Sequence, residues 1–234
     1  MIITSGVKFT PGMVISPTTP PPVTRGLTLQ LDPNNSSSYP GSGSTWYDIS
    51  GYGADISLIG NPTYTSGTPS YFSFNGSNQY GSGATSNVLG STQYTKSMWF
   101  QLYSYAYNNN ILSSDPGGHF TFFSGQNKAY SGHSDWISYN AFPSVTTFNL
   151  NTWYYIAVTF NTAVGMTLYV NGVLDSVSTY NLNPRPGDGS VGIANFSGSN
   201  LLNGQIGHLF CYNTELSATE ILQNYNSTKA IYGY

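Results

Sequence analysis

At 234 residues and 39% hydrophobic content, the chain has the length of one large all-β domain and ample material for a core. Only 6% of its residues are charged, yet 15% are aromatic and the net charge is −3, which excludes the aromatic-poor, highly charged make-up of a disordered chain. Its six basic residues, Lys8, Arg25, Lys96, Lys128, Arg185 and Lys229, form no run, which excludes the clustered cations a nucleic-acid partner demands.

Residues 1–25 read as an extended N-terminal arm. The opening Met1–Gly6 lacks a basic n-region, and Gly6, Pro11 and Gly12 break any apolar run, so no secretory signal is predicted. No apolar stretch approaches the roughly 18 residues that span a bilayer, so no membrane insertion is expected either. Release by assembly or lysis is then the expected route to any role outside a cell. Pro17-Thr18-Thr19-Pro20-Pro21-Pro22-Val23 favours polyproline II, a spacer without internal packing. Val7-Lys8-Phe9 and Met13-Val14-Ile15 are apolar pieces with no core of their own, which predicts docking on a partner. The competing expectation is a tail lying on its own domain.

After Arg25 the pattern turns to strands. Leu27, Leu29 and Leu31 alternate with Thr28, Gln30 and Asp32 at the period of a half-buried strand. Tyr71-Phe72-Ser73-Phe74 runs into an Asn75-Gly76 turn. Met98, Phe100 and Leu102 share one face, with Trp99 and Tyr103 on the other. Tyr154, Ile156, Val158 and Phe160 form one face of a further strand, and Trp153, Tyr155 and Ala157 form the second. A strand apolar on both faces belongs inside a sandwich. Met166, Leu168 and Val170 lead through Asn171-Gly172 to Val173, Asp175 and Val177, a hairpin whose turn residues take positive φ. Ile206, His208, Phe210 and Tyr212 supply a last strand on a single phase. One helix is predicted near residues 218–225. Ser217-Ala218-Thr219-Glu220 is a capping box, Leu216 and Ile221 stand at staple positions, and Ile221, Leu222 and Tyr225 form an apolar stripe. Many strands and one short helix predict an all-β, two-sheet antiparallel sandwich over 26–228, between the arm at 1–25 and a C-terminal tail at 229–234.

The order of these pieces resembles the laminin-G-like, concanavalin-A-like jelly roll. The phrases that carry the resemblance begin with Gly26-Leu27 to Leu31-Asp32 and Trp46-Tyr47-Asp48-Ile49-Ser50-Gly51-Tyr52-Gly53. Tyr71-Phe72-Ser73-Phe74-Asn75-Gly76 and Ser97-Met98-Trp99-Phe100 follow. Then come Trp153 to Thr159, Leu168-Tyr169-Val170-Asn171-Gly172, Gly204-Gln205-Ile206-Gly207, and the ending Tyr212 to Ile221. The resemblance covers residues 26 to 226 and implies two packed antiparallel sheets with first and last strands adjacent. The scaffold hosts lectins, adhesion modules, glycosidases and virion proteins, so it leaves function open. The arm, Ile3 to Ile15, resembles the Gly-punctuated openings of structural proteins of tailed bacteriophages, in which such jelly rolls follow.

Glycosidases on this scaffold resemble one another in carrying an acidic pair on a concave strand, because sugar hydrolysis needs two carboxyl groups flanking the bond. Here the only glutamates are Glu215 and Glu220, and Glu220 is used by the capping box. Asp32, Asp48, Asp55, Asp115, Asp135, Asp175 and Asp188 mostly abut Gly, Pro or Ser, as turn-forming residues do. His119, His133 and His208 lie far apart without metal-ligand spacing, and His133-Ser134-Asp135 spells triad letters in sequence alone. No catalytic residue, metal site or cofactor is therefore predicted. Asp32 and Asp48 are the first suspects for a calcium loop, with loop-holding hydrogen bonds the favoured alternative. Asn75 stands where relatives often carry an acid. Lone Cys211 excludes an intramolecular disulfide and reads as a buried small hydrophobe.

Tyr103-Ser104-Tyr105-Ala106-Tyr107-Asn108-Asn109-Asn110 and Ser131-Gly132-His133-Ser134-Asp135-Trp136 have the composition of adaptable recognition surfaces, though Tyr103 and Tyr105 also read as alternating strand faces. The binding residues themselves are not identified. Together these features predict a non-catalytic virion structural protein: a capsid-decoration, fibre or spike subunit anchored by its arm. Its expected partners are other virion proteins and copies of itself, with a cell-surface glycan as an additional ligand. The alternative is a carbohydrate-binding lectin module of a cell-surface or secreted protein.

Overall fold

Period-two alternation becomes strands along most of the chain in the computed structural model, which describes residues 19–83, 88–105, 107–115, 119–135, 139–184, 190–196 and 198–234. In chain order the strands are β1 (Leu27–Leu31), β2 (Thr45–Trp46), β3 (Ile56–Ile59), β4 (Thr63–Thr65), β5 (Tyr71–Asn75) and β6 (Tyr80–Gly83). They continue with β7 (Gln93–Leu102), β8 (Tyr107–Asp115), β9 (His119–Ser124), β10 (Ala129–Ser134) and β11 (Tyr139–Pro143). The last are β12 (Tyr154–Asn161), β13 (Gly165–Val170), β14 (Val173–Ser178), β15 (Ser190–Ile193) and β16 (Asn203–Tyr212). The first sheet has the order β14-β13-β12-β7-β16-β5-β4, with β1 also paired to β16, and the second runs β11-β10-β9-β8-β15-β6-β3-β2. First and last strands are thus neighbours, as the resemblance implies.

Two cores follow from strands apolar on both faces. Between the sheets, Met98, Phe100 and Leu102 of β7 join Ile156, Val158 and Phe160 of β12 and meet Leu58, Leu112, Phe123 and Ile193 of the second sheet. On the outer side of the first sheet, Trp99, Tyr155, Ala157, Phe210 and Tyr212 form a second core. Helix α1 (Ala218–Thr228) closes that side with Ile221 and Tyr225. Its capping box is formed: Ser217 Oγ accepts the Glu220 N–H (3.3 Å), and the Glu220 carboxylate accepts the Ser217 N–H (2.8 Å). The β13–β14 turn takes positive φ at Asn171 and Gly172, 50° and 77°, as a two-residue hairpin turn demands.

Three local readings change. Residues 229–234 are more than a tail, because Lys229–Tyr232 forms a 3-10 helix and Tyr232 stacks on Trp99 at 4.2 Å and 10°. The strand near residue 206 changes phase: a bulge between Ile206 and Leu209 sends Ile206, Leu209 and Cys211 inward and Phe210 and Tyr212 outward. Gly207 lies in that bulge, and a Cβ there would collide with the Tyr232 hydroxyl. The described end of the arm lies on the domain. Val23 is buried in the outer core, its N–H donates to Asn224 Oδ1 (2.8 Å), and Gln223 Nε2 donates to the Pro21 carbonyl (2.8 Å). Residues 1–18, with both apolar pieces of the arm, lie outside the described residues. Among the described residues no helix is long and apolar enough to cross a membrane.

Candidate functional site

The carboxylates singled out by sequence are spread apart and engaged by local donors. Asp48 Oδ1 accepts the Gln30 and Ser50 N–H groups (both 2.9 Å), and its Oδ2 accepts the Ser50 hydroxyl and the Gly53 and Ala54 N–H groups at 2.8, 3.0 and 3.1 Å. Asp32 Oδ1 accepts the Asn34 N–H (2.9 Å) and lies 3.7 Å from His208 Nδ1. Burial lowers the pKa of His208, against the opposing pull of Asp32. Asp55 accepts the Asp48 N–H, and Asp175 accepts those of Val145 and Thr146. Glu215 accepts from Asn161 Nδ2, and Asp135 from the Tyr180 hydroxyl. A hydrogen bond from Arg25 holds the Glu220 carboxyl down at about 2, helped by the Ser217 N–H and hydroxyl. Asn75 Oδ1 accepts the Ser77 N–H (3.0 Å) and shapes its turn. Among the described residues no three His, Cys, Asp or Glu side chains converge as a metal cluster would. The side chains of Asp115 and His119, and residues Trp136, Arg185 and Asp188 altogether, lie outside the described residues.

The described side chains of the two stretches with recognition-like composition are largely structural, while Ala106 and the side chains of Tyr107 and Asn108 lie outside the described residues. Ser131 to Ser134 belong to β10 and are buried, so this segment presents no open loop. The His133 ring points between the sheets. Its Nε2 donates to the Leu182 carbonyl (2.8 Å), leaving Nδ1 to accept the Tyr94 hydroxyl (3.1 Å). Burial lowers the His133 pKa to about 4, and nearby Lys96 adds to that effect. Ser134 and Asp135 therefore form no triad with it. In the other stretch, Tyr105 donates to the Phe148 carbonyl (2.6 Å) and Asn109 Nδ2 to the Ser104 carbonyl (2.7 Å). Tyr103, 39% exposed, accepts a hydrogen bond from Gln205 Nε2. Cys211 is wholly buried, and burial pushes its thiol up to about 12.

What the sequence did not single out is the outer face of the second sheet. Leu58, Ile193 and Leu112 pair across β3, β6, β15 and β8 on a row facing the inter-sheet core. The neighbouring row, Ser57, Ser82, Gly192 and Ser113, must face outward, and so must Ile59 and Tyr80 beyond it. Farther across, Phe122 of β9 and Tyr130 of β10 stack at 5.6 Å. Within this face Tyr80, Ser82, Ser113, Ser190, Gly192, Asn195 and Gly198 line a trough of about 200 Å³. Asn195 fixes its wall, donating to the Gly81 carbonyl (2.9 Å) and accepting the Gly198 N–H (3.0 Å). A Cβ on Gly192 would lie 2.6 Å from Ser113 Oγ and 3.0 Å from Asn195 Nδ2, so glycine keeps the floor open. A second, shallower depression of about 530 Å³ lies between Pro33, Asn34, Tyr39, Pro40, Tyr64 and Ser66. Tyr39 and Tyr64 are 4.7 Å apart there, with their hydroxyls donating to the Gly43 and Pro33 carbonyls.

The trough presents serine side chains beside a tyrosine ring, and no carboxylate of the described residues lines it. Hydrogen bonding and ring stacking are the interactions such groups can make. The signal that marks it in the sequence is small: Tyr80-Gly81-Ser82-Gly83 and Ser190-Val191-Gly192-Ile193 each alternate a core position with a small or hydroxyl residue.

A family model described as the concanavalin A-like lectin/glucanases superfamily matches residues 74–222. No curated protein matches the chain. Among solved structures, the fold is similar to that of botulinum neurotoxin type C, a toxin that depends on interaction with two ganglioside molecules to get into cells. The identity is 17% and the TM-score 0.68, over 87% of this chain and 51% of that one. The receptor-binding domain of botulinum neurotoxin type G is 17% identical with a TM-score of 0.64, over 86% and 51%. The binding domain of botulinum neurotoxin DC in complex with SialylT is 18% identical with a TM-score of 0.67, over 88% and 52%. The chain thus spans about half the length of these structures.

Proposed function

The chain belongs to the concanavalin A-like lectin/glucanase superfamily, and from that premise we propose that it is a non-catalytic recognition module that takes a glycan on the outer face of its second sheet. One observation carries this reading. The outer face of the first sheet is closed by α1 and Tyr232, whereas the second presents the Tyr80 ring and the Ser82 and Ser190 positions around an open, glycine-floored trough. Pyranose rings stack on aromatic faces through their C–H groups and bond through hydroxyls, so this mixture suits them. The engagement of the described carboxylates by local donors supports a binding role over hydrolysis. A glycan array is the test. Tyr80→Ala is expected to weaken the best ligand by about tenfold or more, the loss of one stacked ring. Wild-type affinity in Tyr80→Ala, or steady turnover of the bound glycan, would sink the reading.

A second reading is a structural role in a virion, with the arm upstream of Pro21 as the anchor. Val23 and Pro21 are pinned to α1, so the apolar pieces upstream start from a fixed point of the domain. Removal of residues 1–18 should leave the sandwich folded and abolish its incorporation into a particle. Normal incorporation of the truncated chain would discard this reading.

A further inference from the structure

Several of the large apolar side chains that stay exposed gather along one margin of the first sheet. β14 is the edge strand there. Its Leu174 and Val177 pair with Tyr169 and Thr167 of β13, and Tyr169 belongs to the outer core, so both side chains share the outer face. They are 58% and 66% exposed. Leu222 of α1 is 42% exposed and borders the Asn171–Gly172 turn, since a Cβ on Gly172 would come within 3.1 Å of its Cδ1. Scattered apolar side chains are ordinary on a surface, but a strip running from a helix to a sheet edge that no described strand pairs with calls for a partner. Edge strands template further pairing unless blunted by lysine or proline, and Val-Leu-Asp-Ser-Val-Ser contains neither. The one charge, Asp175, is turned onto the N–H groups of Val145 and Thr146.

We propose that this strip is the docking site for residues 7–15 of a second copy of the chain. In that segment Val7 alternates with Phe9 and, beyond the Pro11-Gly12 break, Met13 with Ile15, the period with which a short peptide adds to a sheet edge. The domain's own segment is poorly placed to fill the strip. Pro21 and Val23 are bonded to Gln223 and Asn224, so the chain leaves along the flank of α1 that carries those two residues. Leu222 stands about 100° away around the helix from Gln223, on the other flank. The run Pro17-Thr18-Thr19-Pro20-Pro21-Pro22 intervenes, a composition that stiffens a linker. A polyproline II run advances about 3.1 Å per residue, so six residues of it span about 19 Å, more than the ~10–12 Å breadth of a helix. A neighbour receives the segment without any reversal of the proline run. This inference is independent of the glycan reading, since it uses the opposite side of the molecule.

Cross-linking tests it on the full chain. Copies carrying Ile15→Cys are mixed with copies carrying Val177→Cys under mild oxidation, while wholly buried Cys211 stays out of exchange. A disulfide-linked heterodimer is expected, together with an oligomeric wild-type mass by light scattering. Val177→Asp and deletion of residues 1–16 should each weaken self-association by about tenfold or more. A chain carrying both cysteines that closes only on itself overturns the proposal. So does a monomeric wild type without any cross-link, or an unchanged mass for a folded Val177→Asp. Should Val177→Asp fail to fold, Leu222→Asp on the exposed flank of α1 gives the same readout.

Discussion

Replacing Lys96 by methionine is expected to stabilise the fold at neutral pH. Lys96 lies on the inner face of β7 between Tyr94 and Met98, wholly buried and paired across the strands with Cys211. Its ammonium donates to the Gly132 carbonyl of the facing sheet at 3.3 Å. Burial lowers its pKa from 10.5 to about 7, which Cys211 opposes only in part. Above pH 10.5 the amine is neutral in both states. As pH falls below that, the unfolded chain takes up a proton that the folded chain refuses, and stability drops by about 1.4 kcal/mol per pH unit. The loss is complete below pH of about 7, where it amounts to about 5 kcal/mol. Methionine carries no proton, has similar length and packs adaptably, while the hydrogen bond to Gly132, worth about 1–2 kcal/mol, is lost. The net gain at pH 7 is then about 3 kcal/mol, or about 6–12 °C in Tm for a domain of this size. Urea unfolding of both chains at half-unit steps from pH 6 to 10 reads the difference directly, and it should shrink as pH rises. A methionine variant that is less stable at pH 7, or a difference that does not change with pH, refutes the reasoning. Either would mean that the folded state keeps the ammonium charged and compensated.

Glu220→Gln should cost about 1 kcal/mol at pH 7 by weakening the capping box and the Arg25 contact. Because the Glu220 carboxyl is held down at about 2, its contribution is present above about 4.5 and disappears as pH falls toward 2. Melting curves of the two chains should therefore separate at pH 7 and converge near pH 2.5. Asp48→Asn should destabilise by about 2–4 kcal/mol, because an amide NH₂ replaces an oxygen that faces only donors. Urea unfolding with and without calcium checks this. Rescue of wild-type stability by calcium would make Asp48 a cation ligand instead of a loop clasp.

The sandwich was legible because its signals are local. Trp153 to Phe160 announce a strand buried on both faces, Asn171-Gly172 announces a hairpin, and Ser217 to Glu220 announce a helix start. The jump in phase at Ile206 was not legible, since the bulge is stabilised by a contact between Gly207 and Tyr232 that are 25 positions apart. Nor was the seating of the C-terminal turn. Tyr232 matters because its ring finds Trp99, and nothing within Lys229–Tyr234 points to a partner on β7. The strand part of the stretch Ser131 to Trp136, Ser131 to Ser134, misled for the same reason. Its composition suits a binding loop, but the alternation of Ser131 and His133 with Gly132 and Ser134 is that of a strand whose polar face bonds to Thr121 and Tyr94 inside the sandwich.

The candidate site was hidden by the kind of information it requires. Ser57, Ser82, Gly192 and Ser113 become one row only after β3, β6, β15 and β8 have taken their registers, and a slip of one residue in β3, β6 or β8 would turn its hydroxyl into the core. Those registers are set by Leu58, Ile193 and Leu112, whose burial forces the alternate positions outward. The core residues therefore define the candidate face as much as the hydroxyls do. A similar asymmetry separates the two sheets. Trp99, Tyr155, Phe210 and Tyr212 make the outer side of the first sheet too apolar to stay wet, so α1, Tyr232 and Val23 cover it. Small and hydroxyl residues on the outer rows of β3, β6, β15 and β8 impose no such demand, which leaves that face free for a ligand that exchanges water for its own hydroxyls.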